Sequence, residues 1–134
     1  MTIRFGMIVL YVRDLDKSIA FYRLLGLDVP EPRPDRPVTQ IPLGSGISFL
    51  LTTAEIATRV DADWRRPSDG YQQVIEFFVG DDAAVDETWQ RMTAAGYVGR
   101  AAPANPLQPY ATLIEDPDGN VVMITHDPAV AAAS

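Results

Sequence analysis

The chain contains no cysteine, so disulfides, thiolate metal sites and cysteine nucleophiles are all excluded. It has one histidine, His126, which removes any site needing two imidazoles from one chain. Bases are scarce: eleven Lys and Arg against eighteen Asp and Glu give a net charge of −7. That balance argues against nucleic-acid binding through a basic face and would attract a cationic small molecule. No apolar run approaches the ~20 residues of a membrane span, and Arg4 and Arg13 interrupt the apolar stretch near the start, so neither a membrane anchor nor a signal peptide is expected. Cytoplasmic residence is the default expectation. What is present is 134 residues with 47% hydrophobic content, enough for one domain with a sizeable core.

Met7 to Val12 is a continuous apolar run rich in β-branched residues, the pattern of a strand covered on both faces. The period then changes. Leu15, Ile19, Tyr22 and Leu25 recur at helical steps, with aspartate before them as a cap and Gly26 ending the helix. After extended Leu27 to Val29, Pro30 to Pro37 holds four prolines in eight residues and reads as an exposed arm or lid. Val38 to Leu43 and Ile47 to Thr52 flank Gly44-Ser45-Gly46 as a hairpin. Thr53 to Tyr71 reads as a connection, with only a faint helical pattern from Ala54 to Val60.

The opening pattern then returns. Gln73 to Val79 is a strand, and Gly80-Asp81-Asp82 starts a helix whose apolar face is Val85, Trp89 and Met92, ended by Gly96. Gly99 to Pro109 reads as a second proline-containing arm. Tyr110 to Glu115 and Val121 to Thr125 are strands joined by Asp116-Pro117-Asp118-Gly119, whose residues suit a type I turn. Val12 and Val79 are 67 positions apart, as are Asp14 and Asp81, and 67 is half of 134. A period this long suggests a duplicated supersecondary module. The expected organisation is a single domain over 1–134, with modules at 1–52 and 72–128, a connecting segment at 53–71 and a disordered tail at 129–134.

Val12-Arg13-Asp14-Leu15-Asp16-Lys17-Ser18-Ile19-Ala20-Phe21-Tyr22, followed by Leu25-Gly26-Leu27, together with Asp116-Pro117-Asp118-Gly119-Asn120, resembles the vicinal oxygen chelate superfamily of glyoxalases, bleomycin resistance proteins and dioxygenases. The resemblance implies an α+β fold of two βαβββ modules pairing into a cupped, partly open mixed β-barrel, with helices outside and the ligand between the sheets. It also implies a homodimer. Metal-using members place ligands at positions that fall here on Met7, Val74 and Met123, with a fourth among Phe49, Leu50 and Leu51. None offers the oxygen or nitrogen donors that a hard or borderline divalent ion requires. No metal and no other cofactor is therefore expected, nor metal-dependent glyoxalase or dioxygenase activity, and the methionines read as cavity wall.

Strand alternation names that wall. Met7, Val9 and Tyr11, then Val74, Glu76 and Phe78, and Leu113 and Met123 face the ligand, joined by Phe49 and by Tyr110. Glu76 is the one carboxylate on a strand otherwise apolar, readable as a cation anchor, a proton-transfer group, a partner of Arg13, Arg65 or Arg100, or a wetted edge residue. The expected function is metal-independent binding and sequestration of a hydrophobic, aromatic, cationic small molecule. The alternative is a metal-independent isomerase or lyase using Glu76 or Tyr11 for proton transfer.

Overall fold

The computed structural model describes residues 2–105 and 109–131. The chain divides between Ser68 and Asp69 into two compact units. In the first, β1 (Met7–Val12) leads into α1 (Leu15–Leu25), followed by β2 (Val38–Pro42), β3 (Ser48–Thr53) and α2 (Ala54–Val60). The strands form a sheet of order β1-β3-β2, with β3 parallel to β1 and antiparallel to β2. Asp14 caps α1, its carboxylate accepting from the Lys17 amide at 3.1 Å. Gly26, at φ 124°, closes the helix in a conformation that a side chain would resist. Ile19, Tyr22 and Leu25 are buried as the helical period requires. Tyr22 meets Phe49 edge to face at 5.1 Å, which fixes the side of the sheet that α1 covers.

In the second unit β4 (Val74–Phe78), α3 (Asp82–Ala94), β5 (Gly99–Ala104), β6 (Tyr110–Glu115) and β7 (Val121–His126) form the full βαβββ order, and a helical turn, α4 (Pro128–Ala131), follows. The sheet order is β4-β7-β6-β5. Asp81 caps α3 as Asp14 caps α1, accepting from the Ala84 amide at 2.8 Å. The β6–β7 turn is tied by the buried Asp116, whose carboxylate accepts from the amides of Asp118 and Asn120 and from the Asn120 side chain, at 2.8 to 2.9 Å. No helix among the described residues is long and apolar enough to cross a membrane.

Several expectations are corrected. The first unit has three strands where the second has four, because the stretch with Pro30, Pro32, Pro34 and Pro37 forms none. That stretch is tethered: Arg23 donates through Nε and Nη2 to the Val29 carbonyl, and Thr39 and Thr52 donate to the carbonyls of Pro30 and Pro37. Residues 54–60, where the faint helical pattern lay, are a full helix within the expected connection. Residues 99–104 are a strand, where an arm was expected. β5 lies at the sheet edge, where Pro103 removes no ladder bond that the sheet interior needs, and its register with β6 shifts twice. Within that arm, 106–108 lie outside the described residues. The tail from 129 begins as helix: Pro128 suits a first helical position, and the Asp127 carboxylate accepts from the Ala129 amide at 3.0 Å. Residues 132–134 are outside the description.

Candidate functional site

In each unit one face of the sheet packs under a helix and the other turns away from it, and strand parity decides which side chains belong to which. In the first unit Leu10 and Val12 are buried on the covered side. Met7 and Val9 point the other way and are each 39% exposed, with half-buried Tyr11 continuing their row. Beside that row, in register, run Ser48, Leu50 and Thr52 of β3. At the end of the row Trp64 meets Tyr11 at 5.5 Å and 70° between ring planes, and the Arg66 guanidinium lies over Trp64 at 5.1 Å.

In the second unit Ile75 of β4 and Val122, Ile124, Thr112 and Ile114 of β7 and β6 are buried on the α3 side. The opposite face carries Val74, 43% exposed, Phe78, 52% exposed, and Glu76 between them. Register sets Glu76 against Met123, and Met123 against Leu113, so these residues form one patch across three strands. Thr125 donates its hydroxyl to Glu76 Oε2 at 2.6 Å. Arg100, one partner considered for Glu76, instead pairs with Glu115 at 3.2 Å and lies over Tyr71. Glu76 has no ion-pair partner among the described residues and stands, exposed, on an edge strand.

Two of the expected wall residues face elsewhere. Phe49 is fully buried against Tyr22 on the helix-covered side. The registers explain this: Val9 pairs with Leu50 as Glu76 pairs with Met123, so the counterpart of Met123 in the first unit is Leu50, and Phe49 corresponds to buried Val122. Tyr110 also lies on the covered side, its hydroxyl 2.5 Å from Asp86 of α3. That hydrogen bond, then burial and the charges of Asp86 and Asp82, raise the Tyr110 pKa above its ordinary 10.0. Close by, His126 Nδ1 is 2.8 Å from Asp82, and both residues line a recess of about 160 Å³ with Asn105, Pro109, Tyr110 and Pro128. Asp82 and Asp86 are spaced i,i+4 in the sequence, a signal that they share a helix face. The Trp64–Arg66 contact had no such signal.

The family model of the Glyoxalase/Bleomycin resistance protein/Dioxygenase superfamily matches residues 4–124. The chain belongs to this superfamily. Among solved structures, a hypothetical protein from S. aureus is similar over 95% of both chains, with a TM-score of 0.81 and 21% identity. A glyoxalase-related enzyme from Fulvimarina pelagi is similar over 93% of this chain and 88% of its own, at TM-score 0.80 and 20% identity. A lactoylglutathione lyase from Agrobacterium tumefaciens is 28% identical over 92% of each chain, at TM-score 0.67. No curated protein gives a significant match.

The donor chemistry at the mapped ligand positions does not fit the divalent ion that metal-using superfamily members hold. Met7 and Met123 offer thioethers, and Val74 and Leu50 offer alkyl groups alone. Among the described residues no three His, Cys, Asp or Glu side chains gather where they could hold a metal ion. Glu76, in register with Met123, brings a single carboxylate.

Proposed function

We propose that this chain is a metal-independent small-molecule binding protein of its superfamily, taking a hydrophobic, aromatic, cationic ligand on the open faces of its sheets and working as a cytoplasmic homodimer. The observation that carries the reading is Glu76, an ionisable oxygen pair without a cationic partner among the described residues, set among Val74, Phe78, Met123 and Leu113. An apolar face with one charge of fixed place suits a ligand that is mostly hydrocarbon and carries one positive group. The net charge of −7 works in the same direction over longer range. Four mapped positions without oxygen or nitrogen donors support binding without a metal. Near-stoichiometric iron, manganese, nickel or zinc in protein purified without chelator, with function lost on stripping, would contradict that part.

A second reading is favoured by one contact. The Thr125 hydroxyl holds the Glu76 carboxylate from one side, as a positioned proton acceptor would be held, so a metal-independent isomerase or lyase could use Glu76, or Tyr11, for proton transfer. The lactoylglutathione lyase among the similar structures makes a lyase class reasonable to test. Turnover separates the two: a binder is stabilised by ligand that is recovered unchanged, whereas an enzyme converts it. Thermal unfolding with 1-naphthylmethylammonium and with its neutral counterpart 1-naphthylmethanol, followed by mass analysis of the recovered compounds, makes the comparison. Saturable stabilisation, stronger for the cation, with both compounds unchanged, is the expected result.

A further inference from the structure

We infer that Trp64 is a ligand-contact residue that gives the open face of the first sheet a preference for aromatic ligands, and that Arg66 is the residue that positions it. The inference rests on the small-molecule reading above and adds a residue and a selectivity to it. Trp64 lies in the segment that leaves α2 without regular structure, where an exposed indole would ordinarily be free to move. Here the segment is fastened. The Asp63 amide donates to the Asp61 carboxylate and the Trp64 amide to the Asp61 carbonyl, both at 3.0 Å, so the chain turns sharply before Trp64.

Arg66 supplies the tether to β1. Its Nη1 donates to the Tyr11 carbonyl at 3.0 Å, across 55 positions of sequence, while its guanidinium carbon lies over the Trp64 ring, 5.1 Å from the centroid. Trp64 in turn meets Tyr11 edge to face. The indole is thus held by two ring contacts and by the turn in its backbone, and yet is only half-buried. Tyr11 belongs to the row that continues through Val9 and Met7, so the two rings form an aromatic corner at the end of an exposed apolar strip. A planar ring lying on Val9 would meet this corner in the offset or edge-to-face geometry that aromatic pairs prefer, and a saturated ring of the same size would not. Lysine could not replace Arg66, since a single ammonium lacks the fork that reaches a carbonyl and a ring at once.

The test is the ratio of affinities for 1-naphthylmethanol and its saturated counterpart decahydronaphthalen-1-ylmethanol, measured by calorimetry on the full chain. The wild-type protein should bind the aromatic alcohol about three to ten times more tightly, the size of one aromatic pair. Trp64→Leu should remove most of the preference, Trp64→Phe should keep most of it, and Arg66→Lys should lower it while the circular dichroism spectrum stays unchanged. Should Trp64→Leu fail to fold, Trp64→Met makes the same comparison with a flexible side chain. A ratio unchanged in the Leu or Met variant, or a loss of affinity equal for both alcohols, overturns the role of Trp64 and leaves the small-molecule reading standing. A wild-type protein that binds both alcohols equally does the same, whereas one that binds neither overturns both.

Discussion

Thr125 and Glu76 are joined across the β4–β7 ladder by a hydrogen bond of 2.6 Å from hydroxyl to carboxylate. Thr125 pairs in register with Phe78 and Glu76 with Met123, so the bond runs diagonally between neighbours on one face. Its energy should be measurable. A double-mutant cycle of Thr125→Val and Glu76→Ala, read by urea unfolding, should give a coupling of about 1 kcal/mol, the size of a hydrogen bond at a partly wet site. A coupling near zero would mean that the carboxylate is not held.

The β6–β7 turn depends on Asp116, a buried carboxylate accepting three hydrogen bonds. Asp116→Ala leaves two amides and the Asn120 side chain without their acceptor, and should destabilise the fold by about 2–3 kcal/mol in denaturant unfolding. Asp116→Asn, which keeps one acceptor oxygen, should cost less. Equal losses would show that acceptor count does not govern the turn.

Gly99 lies under Trp89. A Cβ placed there would run into the indole at Cη2 and Cζ3, too close for the ring to stay where it is. Gly99→Ala should therefore destabilise the second unit by about 1–3 kcal/mol through overpacking. Trp89→Leu, which removes the six-membered ring, should recover part of that loss in the double variant. Additive losses would place the strain elsewhere.

Tyr110 supplies a dependence on alkaline pH. Its pKa is raised in the folded chain, first by the hydrogen bond with Asp86, so between the ordinary value of 10.0 and the folded value the native state retains a proton that the unfolded state has lost. Stability from this group is full below pH 10 and falls as pH rises through the folded pKa. Tyr110→Phe should flatten the fall in denaturation midpoint above pH 10, and the wild-type absorbance at 295 nm should show one tyrosine titrating late. A fall of equal steepness in the Phe variant would assign it to other groups.

Much of the fold was legible because local signals agreed with tertiary packing. Asp14 and Asp81 stand where caps are needed, helical steps put Ile19, Tyr22, Val85 and Met92 inside, and Asp116 to Gly119 carry turn chemistry. What showed only faintly, or not at all, lacked such signals. Thr53 makes no side-chain cap to α2, whose one buried residue is Ala57, so little amphipathic pattern marks that helix. Gly99, Ala101 and Pro103 are poor strand formers, and β5 exists through pairing with β6. Among the candidates, Met7, Val9 and Tyr11, then Val74, Glu76, Phe78, Leu113 and Met123, lie on the faces turned from the helices, because alternation counted from the positions that the resemblance mapped decides them. Tyr110 could have been excluded on the same ground, since it is three residues from Leu113 and an odd step changes face. Phe49 could not, because its face depends on the register of β3 against β1, which no single segment reveals.

Glu76 is proposed to anchor a positive charge on a face that is otherwise apolar but for Thr125, its hydrogen-bond donor. The most direct measurement is calorimetric affinity for 1-naphthylmethylammonium and 1-naphthylmethanol in the wild-type protein and in Glu76→Gln. The wild-type protein should prefer the cation, and the substitution should weaken binding of the cation about threefold to fivefold, the size of an exposed ion pair, with no effect on the alcohol. Equal affinity for the cation in both proteins would contradict it.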